Sequence, residues 1–236
     1  EAGRVLAHFH DLLRDFPEDQ ALKRTSFHQG KPLLKVIDEL QDVLKSKEPQ
    51  ENLAGIEETV GYLNNQYAIA SKMVDDADFQ SMPTCIVHAD WHPGNMLYKD
   101  GEIIAVIDFD SLRVNPRITD IANGALQFSM RMGDPGEIDL WKEGFRGQTI
   151  RAMIQAYEQF TQLPLMASER SIVPFLMVEA LIVESIVPIH KTGTFGSITG
   201  SAFLRMVEGK LRWLETRMQR VIEVIQPPSS KEDTFG

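Results

Sequence analysis

Cysteine and positive charge are both scarce in this sequence. Cys85 is the only cysteine among 236 residues, which excludes an internal disulfide framework and suits a cytoplasmic protein in a reducing compartment. Lysine and arginine number 24 against 34 acidic residues, so the formal net charge is −10. Because nucleic-acid-binding proteins usually present a basic face, the composition argues against nucleic acid as a partner.

An uninterrupted hydrophobic run of membrane-spanning length is also missing. The most apolar stretch, residues 171–190, contains two prolines and the acidic residues Glu179 and Glu184. Charged side chains are costly inside a bilayer, so we expect a buried central helix here and no membrane partner. Residues 1–16 mix charged with apolar positions and do not have the form of a signal peptide.

Apolar residues at steps of three and four predict helices over most of the chain. The polar segment 17–30 is interpreted as a loop, and residues 226–236, which contain two prolines and two serines, as a disordered tail. The predicted helices cover approximately residues 1–16, 33–48, 52–78, 117–131, 137–160, 168–190 and 199–225.

A convincing strand-like pattern occurs only between residues 84 and 107. Short runs of β-forming residues lie at 84–87, 96–98 and 103–107, and Asp100-Gly101 between the last two is typical of a hairpin turn. The predicted fold class is therefore α+β and mainly α, with a small β-hairpin region among the helices.

Polar side chains gather directly after these strands. The segment His88-Ala89-Asp90-Trp91-His92-Pro93-Gly94-Asn95 follows the first strand, and Asp108-Phe109-Asp110 follows the last. The side chains of Asp90, Asn95 and Asp108 could converge on one point. Carboxylate and amide oxygens are ligands that suit Mg²⁺.

Three interpretations of these polar residues compete. They could be ordinary turn formers, which is the common role of Asp and Asn in loops. Alternatively, His88, Asp90 and His92 alternate along an extended segment and could hold Zn²⁺ or Fe²⁺ in a metallohydrolase. A third metal ligand would then come from a histidine elsewhere in the chain: His8, His10, His28 or His190. The third interpretation is phosphoryl transfer, because the order His-x-Asp-x-x-x-x-Asn, strand pair, Asp-Phe-Asp matches a kinase catalytic loop and metal-binding segment.

These motifs make the chain recognisable. It resembles the aminoglycoside phosphotransferase and choline kinase-like superfamily, which are small-molecule kinases with a protein-kinase-like fold. The resemblance rests on residues 88–95, on Val106-Ile107-Asp108-Phe109-Asp110, and on Pro116 with Asp120-Ile121-Ala122 downstream. Family members have glycine where this chain has Ala89. The helical spacing on both sides of the motifs is similar to that of the family's C-terminal lobe.

The resemblance implies a role for each matched residue. Asp90 would orient the acceptor hydroxyl and accept its proton late in the reaction. Asn95 and Asp108 would hold Mg²⁺ that bridges the phosphates of ATP or another nucleoside triphosphate. His88 would anchor the loop, and Asp120 would support it by accepting backbone N–H groups.

Four residues are further candidates for contact with the substrate: Trp91, His92, Asp110 and Glu184. Trp91 lies next to the proposed base, and Asp110 could equally be a solvated acid. Glu184 shares its apolar helix with Glu179, five residues earlier, so the two carboxylates lie on different faces. We expect only one of them to face the substrate cleft, where it could bind a cationic group.

Kinases of this class also need an N-terminal lobe with a sheet, a phosphate-covering loop and a strand lysine. Residues 1–78 are predicted to be helical, so the chain has the character of a C-terminal lobe, residues 1–225, without the N-terminal lobe. The segment 191–197 has its lysine before the glycines, unlike a P-loop. We interpret it as an interhelical loop with Ser197 as the N-cap of the last helix.

The function predicted from the sequence is an ATP- and Mg²⁺-dependent phosphotransferase that transfers the γ-phosphate to a hydroxyl of a small molecule. The alternative is a non-catalytic, kinase-like binding module, or a degenerate relative, that lacks the N-terminal lobe. The metallohydrolase stays as a third interpretation. No motif separates the possible acceptors, which include choline, aminoglycosides and sugars, and none indicates an oligomeric state.

Overall fold

A computed structural model of the chain describes residues 1–16, 26–141 and 144–227. The helices are α1 (Ala2–Leu12), α2 (Lys31–Lys47), α3 (Ile56–Asp76), α4 (Ile118–Ser129), α5 (Gly147–Phe160), α6 (Ala167–Thr192) and α7 (Gly200–Ile225). The strands are β1 (Thr84–Val87), β2 (Met96–Lys99), β3 (Glu102–Val106), β4 (Arg113–Pro116), β5 (Thr194–Phe195) and β6 (Ile198–Thr199). The predicted loop at 17–30 and the predicted tail fall largely outside the described residues.

Helix α6 lies at the centre of the helical body. It packs against α2, α3, α4 and α7, and apolar residues all around it, such as Leu176, Ala180 and Ile182, are fully buried. By length and composition it could cross a membrane, but 78% of its most apolar window is buried inside the described part of the protein. The core helix of a globular protein meets the same criteria of length and composition. Because α6 is mostly buried, the predicted central helix is confirmed.

The predicted helix at 137–160 is wrong before Gly147, where α5 begins, and its first residues lie in a short 3-10 helix, Pro135–Leu140. The residues directly before α5 pair with the end of α4: the N–H of Arg146 donates to the carbonyl oxygen of Ser129 at 2.8 Å. This contact holds the backbone extended, so tertiary pairing overrides the local helical pattern.

The two sheets of the β region connect the motif-bearing segments. Strands β2 and β3 form the predicted hairpin, closed by Asp100 and Gly101, both with positive φ. Strand β4 pairs antiparallel with β1 and was not predicted, because its four residues carry no alternating apolar pattern. Residues 88–95 run from β1 to β2 and residues 107–112 run from β3 to β4. The two loops therefore lie side by side.

The segment before α7 folds differently from the prediction. Strands β5 and β6 form a small hairpin, and Ser197 lies in its turn. The N-cap of α7 is Thr199, so the predicted N-cap at Ser197 is wrong. The ring of Phe195 stacks on that of Phe203 with centroids 3.9 Å apart, which fixes the hairpin against α7.

Candidate active site

Two hydrogen bonds tie the motif-bearing loops together. The N–H of Ile107 donates to the carbonyl oxygen of Asn95 at 3.0 Å. In the other direction, Nε2 of His88 lies 3.0 Å from the carbonyl oxygen of Ile107 and donates to it. Asp108 follows Ile107 directly, so these bonds hold it beside Asn95.

A buried carboxylate supports the first loop. Asp120, in the first turn of α4, accepts the N–H of His88 at 2.7 Å on Oδ2 and the N–H of Ala89 at 2.8 Å on Oδ1. These are the contacts that the resemblance implies for Asp120. A third group, Nε2 of His10, lies 3.1 Å from Oδ2.

The loop contains a strained alanine. Ala89 has φ of 61°, in the left-handed region that costs a side-chain-bearing residue about 1–2 kcal/mol. Glycine adopts this conformation without the Cβ penalty, which is the physical reason for the glycine that family members have here.

The side chain of Asp90 is held by its neighbours and stays partly exposed. Nδ2 of Asn95 donates to Oδ2 of Asp90 at 2.8 Å and to its carbonyl oxygen at 3.0 Å. Nε2 of His92 lies 3.4 Å from the same Oδ2, while its Nδ1 accepts the N–H of Gly94 at 3.0 Å. The interaction with His92, followed by that with Asn95, lowers the pKa of Asp90, and Asp90 in turn raises the pKa of His92. Asp90 is therefore a carboxylate near neutral pH.

Two oxygen-bearing side chains on the adjoining loops are suited to a magnesium ion. Because the nitrogen of the Asn95 amide faces Asp90, its Oδ1 is directed away from that carboxylate. Asp108 is exposed and has φ of 65°. The donor set, one amide oxygen and one carboxylate, is typical of Mg²⁺ sites that use substrate phosphates as further ligands.

The zinc or iron interpretation lacks its third ligand. In the described part of the chain, no group of three or more His, Cys, Asp or Glu side chains could hold a metal ion. The histidines proposed as third ligand contact other groups: Asp120 (His10), Glu179 (His28), Glu39 (His190) and the ring of Phe160 (His8).

A cleft of about 780 Å³ opens beside Asp90. Glu184 reaches it from α6, whereas Glu179 faces away and bonds Nδ1 of His28 at 2.9 Å, as the spacing of the two glutamates predicts. Burial, and secondarily the charge of Asp90, raise the pKa of Glu184 to about 7. The cleft's apolar lining residues include Phe27, Met132, Val183, Val187 and Phe195, and its polar ones include Asp90, His92, Arg113, Gln127 and Glu184.

Trp91 does not contact this cleft, and the prediction that it packs against substrate is wrong. Its side chain is fully buried and lies so close to α4 that a Cβ on Gly124 would be 2.9 Å from its Cδ1. Side chains alternate in direction along this extended loop, so Asp90 and His92 face the cleft while Trp91 faces the core. Asp110 is exposed and lies outside the cleft lining.

Sequence reasoning missed the part of the site that comes from distant helices. From the sequence, His10 is predicted only as a possible metal ligand, and no role is predicted for Tyr157. The signal was present for His10, because it shares the buried face of α1 with Gly3, Leu6 and Ala7. Arg113 and Gln127 in the cleft had no sequence signal.

Comparison with solved structures defines a kinase-like fold, mainly helical with small sheets. A choline kinase from Cryptosporidium parvum Iowa II aligns with a TM-score of 0.53 at 14% identity, over 94% of this chain and 66% of that one. An aminoglycoside phosphotransferase from Alicyclobacillus acidocaldarius aligns with 0.57 at 17% identity, over 94% and 64%. The amicoumacin kinase hAmiN, solved with AMP-PNP, Ca²⁺ and Ami, aligns with 0.50 at 16% identity, over 89% and 57%.

The sequence itself identifies the family. The profile of the phosphotransferase enzyme family matches residues 1–167, which is more than half of the chain, and the chain belongs to this family. No curated protein matches it by sequence. The chain spans no more than 66% of the length of the three kinases above.

Proposed function

We propose that the chain is the C-terminal lobe of a cytoplasmic, ATP- and Mg²⁺-dependent phosphotransferase that acts on a hydroxyl of a small molecule. The observation that carries this proposal is the arrangement of Asp90, Asn95 and Asp108 on two hydrogen-bonded loops beside a cleft of about 780 Å³. A cleft of this size is typical of small-molecule sites.

Each of these side chains has a task in phosphoryl transfer. Asp90, ionised because of its lowered pKa, orients the acceptor hydroxyl and accepts its proton as the phosphoryl group transfers. Oδ1 of Asn95 and the carboxylate of Asp108 would hold Mg²⁺, which neutralises charge on the nucleotide phosphates. The solved kinase that contains AMP-PNP and Ca²⁺ supports the use of a nucleotide and a divalent ion.

The surface around Asp108 supports the assignment as one lobe of a larger enzyme. Large apolar side chains are exposed by 40–60% on the β2–β3 hairpin and the loop after it: Leu97, Tyr98, Ile104, Ile107 and Phe109. Exposed large apolar side chains concentrated on one element often mark a contact site. We infer that this surface contacts the nucleotide base and an N-terminal lobe, in agreement with the incomplete coverage of the related kinases.

The acceptor would bind in the cleft between Asp90 and Glu184. Glu184 is partly buried and accepts a hydrogen bond from the neutral side chain of Gln127. A cationic group on the acceptor would lie next to this carboxylate and stabilise its ionised form. His92, beside Asp90, contacts the same end of the acceptor.

Turnover by the full-length protein tests the proposal. ATP consumption is measured with choline, ethanolamine, an aminoglycoside and a neutral sugar as acceptors, with and without Mg²⁺. Asp90→Asn should lower turnover at least about 10³-fold while the far-UV circular dichroism spectrum and the unfolding midpoint stay unchanged. Near-normal turnover of this variant would exclude the role of Asp90, and nucleotide binding without transfer to any acceptor would favour the non-catalytic module.

A further inference from the structure

A histidine from the first helix contacts the carboxylate that supports the catalytic loop. His10 on α1 is buried, with 4% exposure, and lies between two partners. Its Nε2 is 3.1 Å from Oδ2 of Asp120, and its Nδ1 is 3.0 Å from the hydroxyl of Tyr157 on α5. The contact with Asp120 joins positions 110 apart in the sequence.

The partner of Nε2 determines the direction of that hydrogen bond. The carboxylate of Asp120 is an acceptor that already receives two backbone N–H groups, so Nε2 of His10 donates to it. On the other side of the ring, the hydroxyl of Tyr157 hydrogen-bonds Nδ1. Two hydrogen bonds therefore hold the His10 ring, one to Asp120 and one to Tyr157.

We propose that His10 is a positioning residue of the catalytic loop. By donating to Oδ2, it fixes the rotation of the Asp120 carboxylate so that each oxygen faces one loop N–H group, that of His88 or Ala89. The next residue is Asp90, so the same contacts set where the catalytic carboxylate lies. His10 has no access to the cleft, whose lining does not include it, and it acts only through Asp120.

The strained backbone at Ala89 is the reason that this support is needed. An alanine keeps a left-handed backbone conformation only where several surrounding contacts hold it there. The bond from its N–H to Oδ1 of Asp120 is one such contact, and His10 keeps that oxygen in place. Loss of the His10 bond frees the carboxylate to rotate, and the loop can then relax at Ala89.

Amide hydrogen exchange tests this positioning without an assay for activity. The protein is compared with His10→Leu, His10→Gln and the matched control His8→Leu, which changes an exposed histidine of the same helix. In His10→Leu we expect the amides of His88 and Ala89 to exchange at least about tenfold faster, while amides of the α6 core keep their rates. In His10→Gln, whose amide can donate as Nε2 does, protection should largely return. His8→Leu should leave both amides unchanged.

Two results would overturn the proposal: unchanged exchange at His88 and Ala89 in a folded His10→Leu protein, or equal loss in His10→Gln and His10→Leu. If His10→Leu does not fold, Tyr157→Phe replaces it, because it removes only the hydroxyl that hydrogen-bonds Nδ1 of His10. Faster exchange at the same two amides then supports the proposal, and unchanged exchange contradicts it.

The catalytic consequence of this inference rests on the proposed function, whereas the positioning of the loop does not. A turnover measurement separates the two. In the full-length enzyme, His10→Leu should lower kcat at least about tenfold and leave KM for ATP within about twofold, because binding groups are untouched. If the protein transfers phosphate to no acceptor, the proposed function fails, but the exchange result still decides whether His10 positions the loop. An unchanged kcat together with faster exchange would contradict the catalytic consequence.

Discussion

The two loops of the candidate site are held in opposite ways. The first, residues 88–95, is anchored by buried groups, because fully buried Asp120 on α4 accepts two of its backbone N–H groups and His88 is itself fully buried. The second, residues 107–110, presents Asp108 and the apolar Ile107 and Phe109 to solvent. The comparison teaches that the first loop is positioned by the fold itself, whereas the second is open to solvent, where the proposed metal ion and nucleotide would bind.

The largest effect that separates the two loops should come from Asp108→Asn. Loss of the proposed anionic metal ligand should lower turnover of the full-length protein by about 10²–10³-fold, with the Mg²⁺ dependence shifted to higher concentration. Because Asp108 is exposed, the free energy of unfolding should change by less than about 0.5 kcal/mol. Turnover over a Mg²⁺ series and urea unfolding measure the two quantities.

Asp110→Asn is the matched control, since Asp110 is an exposed aspartate two residues away. It should change turnover by less than about threefold. An equal loss in both variants would show that Asp110 also holds the metal ion.

Asp120→Asn should lower the free energy of unfolding, which Asp108→Asn leaves almost unchanged. The amide that replaces one carboxylate oxygen cannot accept a backbone N–H, so a buried donor is left without a partner. This costs about 2–3 kcal/mol, measured by urea unfolding. Asp100→Asn, in the exposed hairpin turn, is the control and should stay within about 0.5 kcal/mol. Equal stability of the two variants would contradict the anchoring role of Asp120.

Glu184→Gln should remove part of the pH dependence of stability. The folded-state pKa of Glu184 is raised to about 7, above its value in the unfolded chain, so the folded state binds this proton more tightly. The stability from Glu184 is complete below the unfolded-state pKa and is lost as the pH rises through about 7. Between about pH 4 and pH 8 the wild type should lose on the order of 2 kcal/mol more than the variant.

His28 also has a raised pKa and titrates in both proteins, so its contribution cancels in the difference between wild type and variant. The charge of Glu184 contributes to the raised pKa of His92, so the difference reports Glu184 together with its effect on His92. Unfolding free energies over the pH series supply the measurement, with Glu223→Gln on the exposed face of α7 as control. Parallel pH profiles for wild type and Glu184→Gln would contradict the raised pKa.

Ala89→Gly should have the smallest effect and the opposite sign. Glycine relieves the left-handed strain but loses more entropy on folding, so the net gain in unfolding free energy should be about 0.5–1 kcal/mol. Thermal unfolding at constant protein concentration measures it. The same change at Ala105, in strand β3, should destabilise instead, and a gain there would show that the effect does not come from φ at Ala89.

Most of the secondary structure and the order of the motif were predictable from the sequence. The period of apolar residues located α1, α2, α3, α4, α6 and α7, and Asp100-Gly101 located the hairpin. Strand β4 and the start of α5 were not predictable, because both depend on pairing with segments far along the chain. The wrong prediction for Trp91 has the same origin: its burial depends on contact with α4.

The sequence by itself determined the family, the mainly helical fold and which residues carry candidate chemistry, because local periodicity and motif order are short-range properties of the chain. The tertiary structure decided which of those residues meet. Packing placed Glu184 in the cleft and Glu179 against His28, and it brought His10 to the carboxylate of Asp120. Such contacts depend on how whole helices lie against one another, which the spacing of residues along one segment does not contain.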